Sequence, residues 1–414
     1  MRIHLKRRSA ESTIVLIFLY ISPIIDNFLG ATMRRTGEDA WLGKLYRLMF
    51  FAILLLIIIL RTPIRKLVNY ALLLTAMVAL PLIYAILNQS TMGILTDCVQ
   101  LSKLLYPIAL YEVLNYLIYK DKLELSDVDK CVRTYMWFYP ISIVIPYILG
   151  LGYKSYAAYD AGYSGFYAAG NELSIVLVAM FIFSLNQVVS EREYKMVFAT
   201  ALNVFCILLT GSKTGILMLI VGTVTVMMHS RDLTVKMKRA LGIIFVCIPT
   251  AYLIIILMSD QITSIINMIT FKYRQLGNDF IAFMFSNRTK KIAPNFLNSI
   301  YNSENGLINF LIGKGYYHQA VIYKTNANLA SSGLIEMDLF DVFFQHGIII
   351  TIYVVSFYAK KIFTKCQYQN WIYHFIATTM VIFGLMAGHT FQSTLPSTTL
   401  ILMMVRMKYL STKE

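Results

Sequence analysis

Apolar residues run in long stretches along most of this chain, broken by short polar segments. A helix that crosses a bilayer needs about 20 mostly apolar residues. Twelve stretches meet or approach that length: residues 12–30, 45–60, 68–87, 96–118, 133–150, 168–189, 196–210, 214–229, 240–258, 339–359, 371–387 and 395–410. Lipid offers no water to an unpaired backbone group, so such stretches must be helical. The pattern therefore predicts an all-α, polytopic transmembrane bundle of about 12 spans, in which the seventh, eighth and twelfth are the weakest. Between spans nine and ten lies a long segment, residues 259–338. It is too rich in aromatic and aliphatic residues for disorder, and a loop of this length is commonly functional. Its apolar run Asn295–Ile312 reads as a helix stopped by Gly313. The expected organisation is spans one to nine in 1–258, a small helical cap in 259–338, and spans ten to twelve in 339–414.

Composition sharpens this. Of 414 residues, 57% are hydrophobic and 14% charged, against about half and a quarter in soluble chains, and the mean hydropathy is +0.62. That excludes disorder and argues against an ordinary soluble enzyme. The 5 Cys contain no CxxC pair, which excludes a disulfide scaffold and a zinc ribbon. The net charge of +15 is read as the basic excess of cytoplasmic loops, not as nucleic-acid binding. The basic start MRIHLKRRS precedes an apolar run but no small-residue cleavage site follows, so it reads as a retained anchor with its N-terminus inside. Alternation from there places 23 Lys plus Arg in inside segments and 5 (Arg34, Arg35, Lys44, Lys154 and Lys213) in short outside loops. Both termini are then cytoplasmic and the long segment lies outside. No internal repeat is obvious, which disfavours an inverted-repeat transporter.

Charges at helix mouths are costly and need a reason. Lys213 lies in TGSKTG between spans seven and eight, where a helix N-terminus also suits an anion; the bland alternative is a polar turn. Arg274 and Arg288 lie in the long segment, the second beside Lys290 and Lys291. Arginine's planar fork matches a pair of phosphate oxygens, although a solvated face would look the same. Glu336, Asp338 and Asp341 open span ten. Acidic residues suit any helix N-terminus, but a carboxylate there can also accept a hydroxyl proton. His389, in AGHTFQST, is a base or phosphate donor, or a packing histidine; His318 is a weaker candidate. The loop GYKSYAAYDAGYSGFYAAGNELS (152–174) interleaves aromatics with polar side chains, Lys154, Tyr163, Asn171 and Glu172 among them. That mixture suits sugar rings, and equally an interfacial aromatic belt. Asp26, Lys103 and Glu112 fall within spans and read as pairs inside the bundle. There is no HExxH, no paired His spacing and no outer DxD, so no metal is expected.

Five segments carry a resemblance. GFYAAGNELS (165–174), LLTGSKTGIL (208–217), SNR (286–288), LIGKGYY (311–317) and GLIEMDLFDVFFQHG (333–347) are similar to segments of the Wzy-type O-antigen and capsule polysaccharide polymerases, themselves similar to the O-antigen ligases. Lys213 stands where many members have Arg, and Lys154 where some do. The resemblance implies a metal- and cofactor-independent glycosyltransferase on the outer face of the bacterial inner membrane, involved in lipopolysaccharide or capsule biosynthesis. Donor and acceptor would both be undecaprenyl-diphosphate-linked oligosaccharides, with membrane lipid around them and a chain-length regulator protein as an open further partner. On that reading Arg288, Arg274, Lys213 and Lys291 bind diphosphate. Glu336 or Asp338 is the base, with His389 as rival, and Lys154, Tyr163, Asn171 and Glu172 face sugar. The alternatives are a ligase using the same donor and, in a different class, a flippase for lipid-linked oligosaccharides.

Overall fold

The computed structural model describes residues 9–36, 41–61, 64–229, 259–322, 333–364 and 370–409. The ninth predicted span, 240–258, lies outside the described residues. The other eleven stretches fall on α1 (Ala10–Thr36), α2 (Trp41–Arg61), α3 (Ile64–Leu87), α4 (Ile94–Tyr119), α5 (Leu125–Ile148), α6 (Gly170–Val189), α7 (Met196–Thr210), α8 (Lys213–Met228), α13 (Asp338–Ile362), α14 (Trp371–Ala387) and α15 (Thr394–Lys408). Among the described residues these helices include four long and apolar enough by themselves to cross a membrane, within α1, α2, α6 and α13. The long segment forms α9 (Ser259–Gln275), α10 (Phe280–Met284), α11 (Ile292–Phe296) and α12 (Gly306–Ile312).

The bundle centre is built by α4, α6 and α15. Helix α15 is buried over Thr394–Met407, although its sequence TLPSTTLILMMVRMK is only weakly apolar. Small hydroxyl residues let helices approach closely inside a membrane bundle, and their hydroxyls bond within the helix. Thr398 donates to Thr394 O at 2.6 Å, and Tyr106 of α4 meets the Thr398 hydroxyl at 3.0 Å. Low hydropathy here marks a helix that faces protein rather than lipid.

Two features depart from the sequence expectation. The run Asn295–Ile312 is not one helix. It is α11, a π turn over Leu297–Tyr301, and then α12, which stops at Gly313. The break falls at the polar stretch Asn302–Asn305, and the Asn309 amide bridges back across it to Ser299 O at 3.0 Å and Ser303 Oγ at 2.9 Å. Helix α13 is kinked at Gly347, whose φ of 73° is left-handed. The Gly313-Lys314-Gly315 segment docks onto the kink, donating from Lys314 N to Phe344 O (3.2 Å) and from Gly315 N to Gln345 O (2.9 Å). A Cβ at Gly313 would lie 2.2 Å from Gln345 O, so only glycine permits this approach. The Tyr84 hydroxyl on Ile312 O (2.7 Å) and Asp97 on Tyr317 N (2.8 Å) fasten the same segment to α3 and α4.

These contacts gather the cap helices at the end of the bundle where α1, α3, α5, α7 and α14 finish and α2, α4, α6, α8 and α15 start. The opposite end is closed by ion pairs. Glu11 holds Arg61 and Lys122 (2.6 Å each), Arg133 holds Glu193 (2.9 Å), and Arg406 holds Asp129 (2.5 Å).

Candidate active site

At the cap end, the start of α13 organises the site. Asp341 Oδ1 accepts from Ile335 N (2.8 Å), and Oδ2 accepts from Glu336 N (2.8 Å) and Met337 N (3.1 Å). This draws residues 335–337 into a turn that holds Glu336 at a left-handed φ of 66°, a costly conformation for a residue with a Cβ. Asp338 clamps a second segment: its Oδ2 accepts from Thr390 N (2.5 Å) and Phe391 N (2.7 Å), and its Oδ1 stands 3.6 Å from His389 Nδ1. Both aspartates are completely buried and largely occupied by backbone amides. They position their neighbours and are not presented as bases.

Arg288 arrives from the other side. Asp279 caps α10 by accepting from Ile281 N and Ala282 N. The chain then turns through two successive left-handed residues, Ser286 (φ 51°) and Asn287 (φ 63°), and delivers Arg288. The guanidinium donates to Glu336 Oε2 from Nη2 at 2.9 Å and from Nε at 3.3 Å. Arg288 is 7% exposed and Glu336 45% exposed, so a buried cation supports an accessible carboxylate. Burial would raise the Glu336 carboxyl, but Arg288, His389 and Lys291 together hold it below the usual glutamate range. It is ionised at neutral pH.

Two lysines complete a cationic cluster. Ser212 caps α8 by accepting from Gly215 N, which sets Lys213 at the helix mouth. The Lys213 ammonium donates to Phe283 O at 2.6 Å and lies 3.9 Å from that ring's centre. Lys272 of α9 lies over the rings of Tyr156 (4.2 Å) and Tyr159 (5.0 Å). Lys213 stands within electrostatic reach of both Lys272 and Arg288. Burial holds Lys272 below the usual lysine range, opposed by the charge of Glu336. Lys213, Lys272 and Arg288 repel one another, Glu336 answers Arg288 directly and Lys272 through its charge, and the arrangement favours a bound anion. His389 adds a fourth cation. Burial would lower its imidazole, but Asp338, Asp341 and Glu172 outweigh burial and push it up to about 9. At neutral pH it is an imidazolium donor, not a base.

The remaining candidates divide. Lys291 donates to Leu334 O at 3.0 Å beside the cluster. Arg274 is exposed, two residues beyond Lys272, and residues two apart on a helix lie about 200° apart, on opposite faces. Lys272 occupies the place expected for Arg274. Its signal is legible afterwards: Ile265, Met268 and Lys272 share one helical stripe, and the first two are buried. Glu172 is half-buried in the first turn of α6, where it accepts from the Ser393 hydroxyl and feels His389; the neighbouring Asn171 is half-buried. Lys154 lies apart, paired with Asp160 at 3.5 Å, while its carbonyl accepts from Arg34. Tyr163 is buried, with its hydroxyl donated to Leu151 O and its ring edge-on to Tyr147. Burial pushes its phenol up to about 12, and it packs rather than presenting a face to a sugar. His318, pushed down to about 4 by burial and by Lys314, lies beside Asn88 and Asn309. Among the described residues no group of three His, Cys, Asp or Glu side chains is placed to hold a metal ion.

Beside His389 a cavity of about 610 Å³ opens between α1, α2, α4 and the start of α15. Its walls are partly charged and partly aliphatic. The fold and this site together define a helical membrane protein with a cationic, carboxylate-bearing cleft at one end. The family described as O-antigen ligase like membrane protein matches residues 9–272, and the chain belongs to that family. No curated protein and no solved structure matches the chain. The family match includes Glu172, Lys213 and Lys272 and ends before Arg288, Glu336 and His389.

Proposed function

We propose that this protein is a polysaccharide polymerase that extends undecaprenyl-diphosphate-linked repeat units at the outer face of a bacterial inner membrane. On this reading the chain crosses the membrane twelve times, with both termini cytoplasmic and the cap outside. The observation that carries the proposal is the gathering of Lys213, Lys272 and Arg288 within electrostatic reach of one another, with Arg288 paired to Glu336. In the reaction, the bond from the donor's anomeric carbon to its phosphate oxygen breaks, and the acceptor hydroxyl oxygen bonds to that carbon. The cations stabilise the charge gathering on the leaving diphosphate. The ionised Glu336 accepts a hydrogen bond from the acceptor hydroxyl and takes its proton late in the step. Asp338 and Asp341 keep His389 and Glu336 in place. The family's description supports a second reading, a ligase that moves finished glycan from the same carrier to another acceptor.

The test is purified protein in nanodiscs with a synthetic lipid-linked repeat unit. Extension to a ladder of carrier-linked products supports the polymerase. Transfer only to a foreign acceptor makes it the ligase, and lipid moved across the bilayer with no new glycosidic bond makes it a flippase and ends both readings.

A further inference from the structure

The cavity beside His389 is more than an extension of the cluster around Arg288. Its polar wall carries Lys44, Arg47 and Lys103 against Asp26 and Glu172. Its apolar wall includes Leu29, Met33, Leu45, Leu48, Leu95 and Val99. Three of those, Met33 (42%), Leu45 (52%) and Leu95 (74%), are exposed apolar side chains, so the cavity is open along its apolar wall. Behind its lining, Asp26 Oδ2, Arg47 Nε and Gln392 Nε2 are buried without a hydrogen-bond partner. Asp26 is 5% exposed and its other oxygen takes Arg47 at 2.6 Å. Ionised side chains lining a cavity walled by aliphatic residues are costly there and mark the seat of a polar ligand. The volume falls in the range of small-molecule sites, about 300–1,000 Å³, which admits a diphosphate and the sugar next to it.

We infer that this cavity is a second lipid-diphosphate site, which holds the acceptor while the cluster of Lys213, Lys272 and Arg288 holds the donor. The assignment rests on the glycosyl-transfer reading above, and its direction follows from charge. The donor's diphosphate gains charge as its bond breaks, so it belongs with the cluster where Lys213, Lys272 and Arg288 stand together. The acceptor's diphosphate keeps its charge throughout. It needs binding without a strengthening field, and Asp26 and Glu172 temper the cavity's cations. His389 lines the cavity and also acts on Glu336, so the two sites meet at the imidazolium. An acceptor seated in the cavity, its tail leaving past Met33, Leu45 and Leu95, sends its glycan toward Glu336.

Native mass spectrometry of the full chain, titrated with undecaprenyl diphosphate, counts the sites. Two bound molecules are expected for the wild type. Lys103→Gln should lose one, and Arg288→Ala should lose the other. A conservative Lys103→Arg should keep both, and the charge-neutral double variant Asp26→Asn with Arg47→Gln provides a second probe that leaves no unpaired buried ion. In extension assays with an acceptor linked through a non-cleavable methylene diphosphonate, Lys103→Gln should raise the acceptor KM at least tenfold and leave the donor KM within twofold. A single bound molecule in the wild type overturns the inference, as does an equal rise in both KM values. If the wild type binds two molecules, loses one in Lys103→Gln, and yet extends no glycan, the two sites stand and the glycosyl-transfer reading fails.

Discussion

The two ends of the bundle treat charge in opposite ways. At the end away from the cap, cations and carboxylates close on each other: Glu11 with Arg61 and Lys122, Arg133 with Glu193, Arg406 with Asp129. Left-handed backbone there sits in single turns after helices, at Asp121 and Arg192. At the cap end, Lys213, Lys272 and Arg288 stand within reach of one another, and Glu336 answers Arg288 and Lys272. Two successive left-handed residues precede Arg288, Glu336 is itself left-handed, and Asp338 Oδ1 faces the His389 imidazole at 3.6 Å. Charge that is neutralised within the fold holds helices together. Charge left in excess, on strained backbone, is arranged for something that arrives from outside.

The sharpest way to break this contrast is Arg288→Ala. It removes the cation under Glu336 and should lower the extension rate by about 10²–10³, the usual cost of losing one preorganised charge stabiliser. The protein should remain in the membrane. Arg288→Lys should recover part of the rate, because a point charge replaces a two-donor fork. Normal extension by Arg288→Ala in the nanodisc assay would remove the cluster from the reaction.

A smaller effect should come from the pH profile. His389 is raised from 6.5 to about 9. Its charge, and the stability it lends to the clamp on residues 389–391, are therefore complete below about 6.5 and are lost as pH climbs through about 9. Activity should be flat across neutrality and fall on the alkaline side. Asp338→Asn removes the main partner, so the fall should move toward pH 6.5, a shift that a merely misfolded variant would not produce. An unmoved alkaline limb in Asp338→Asn would show that another group sets it.

Much of this end was legible in the sequence, and the misses have physical causes. Hydropathy located the helices because lipid imposes helical backbone on every apolar stretch. It undervalued α15, whose Ser and Thr residues serve close helix packing. Arg288 stood out as a phosphate-matching fork beside Lys290 and Lys291 in the long segment, and Glu336 as a carboxylate at the entry to span ten. The division of labour among Glu336, Asp338 and Asp341 did not, since it depends on which backbone amides reach each carboxylate, and Thr390 is 52 residues away from Asp338. The kink at Gly347 was hidden for the same reason: it is stabilised by Gly313 and Gly315 from a distant segment. Tyr163 misled because an aromatic near a polar loop looks the same from sequence whether its ring is offered or buried.

At the opposite end, Asp129→Ala should leave chemistry untouched and cost stability. Arg406 is 6% exposed and would lose its carboxylate. Breaking one side of a buried pair costs about 3–5 kcal/mol, and Asp129 is 30% exposed, which favours the lower figure. Thermal unfolding of the detergent-solubilised protein should show the loss, while the rate per folded molecule stays near the wild-type value. A rate that collapses with unchanged melting would place chemistry at this end.

The smallest expected effect is the most discriminating within α9. Arg274 and Lys272 are two residues apart, carry the same charge, and lie in the same last helical turn. Only Lys272 is turned toward Tyr156, Tyr159 and the charge of Glu336. Arg274→Ala should change extension by less than about twofold, as expected of a surface substitution away from any buried contact. Lys272→Ala should lower it by about tenfold or more and raise the donor KM, because it thins the field on the leaving diphosphate. If the general basicity of the cap attracted the lipid, the two variants would be equal and both would fade as salt is added. Unequal losses that persist at high ionic strength require a built site, in which position on the helix, not charge alone, decides what each cation does.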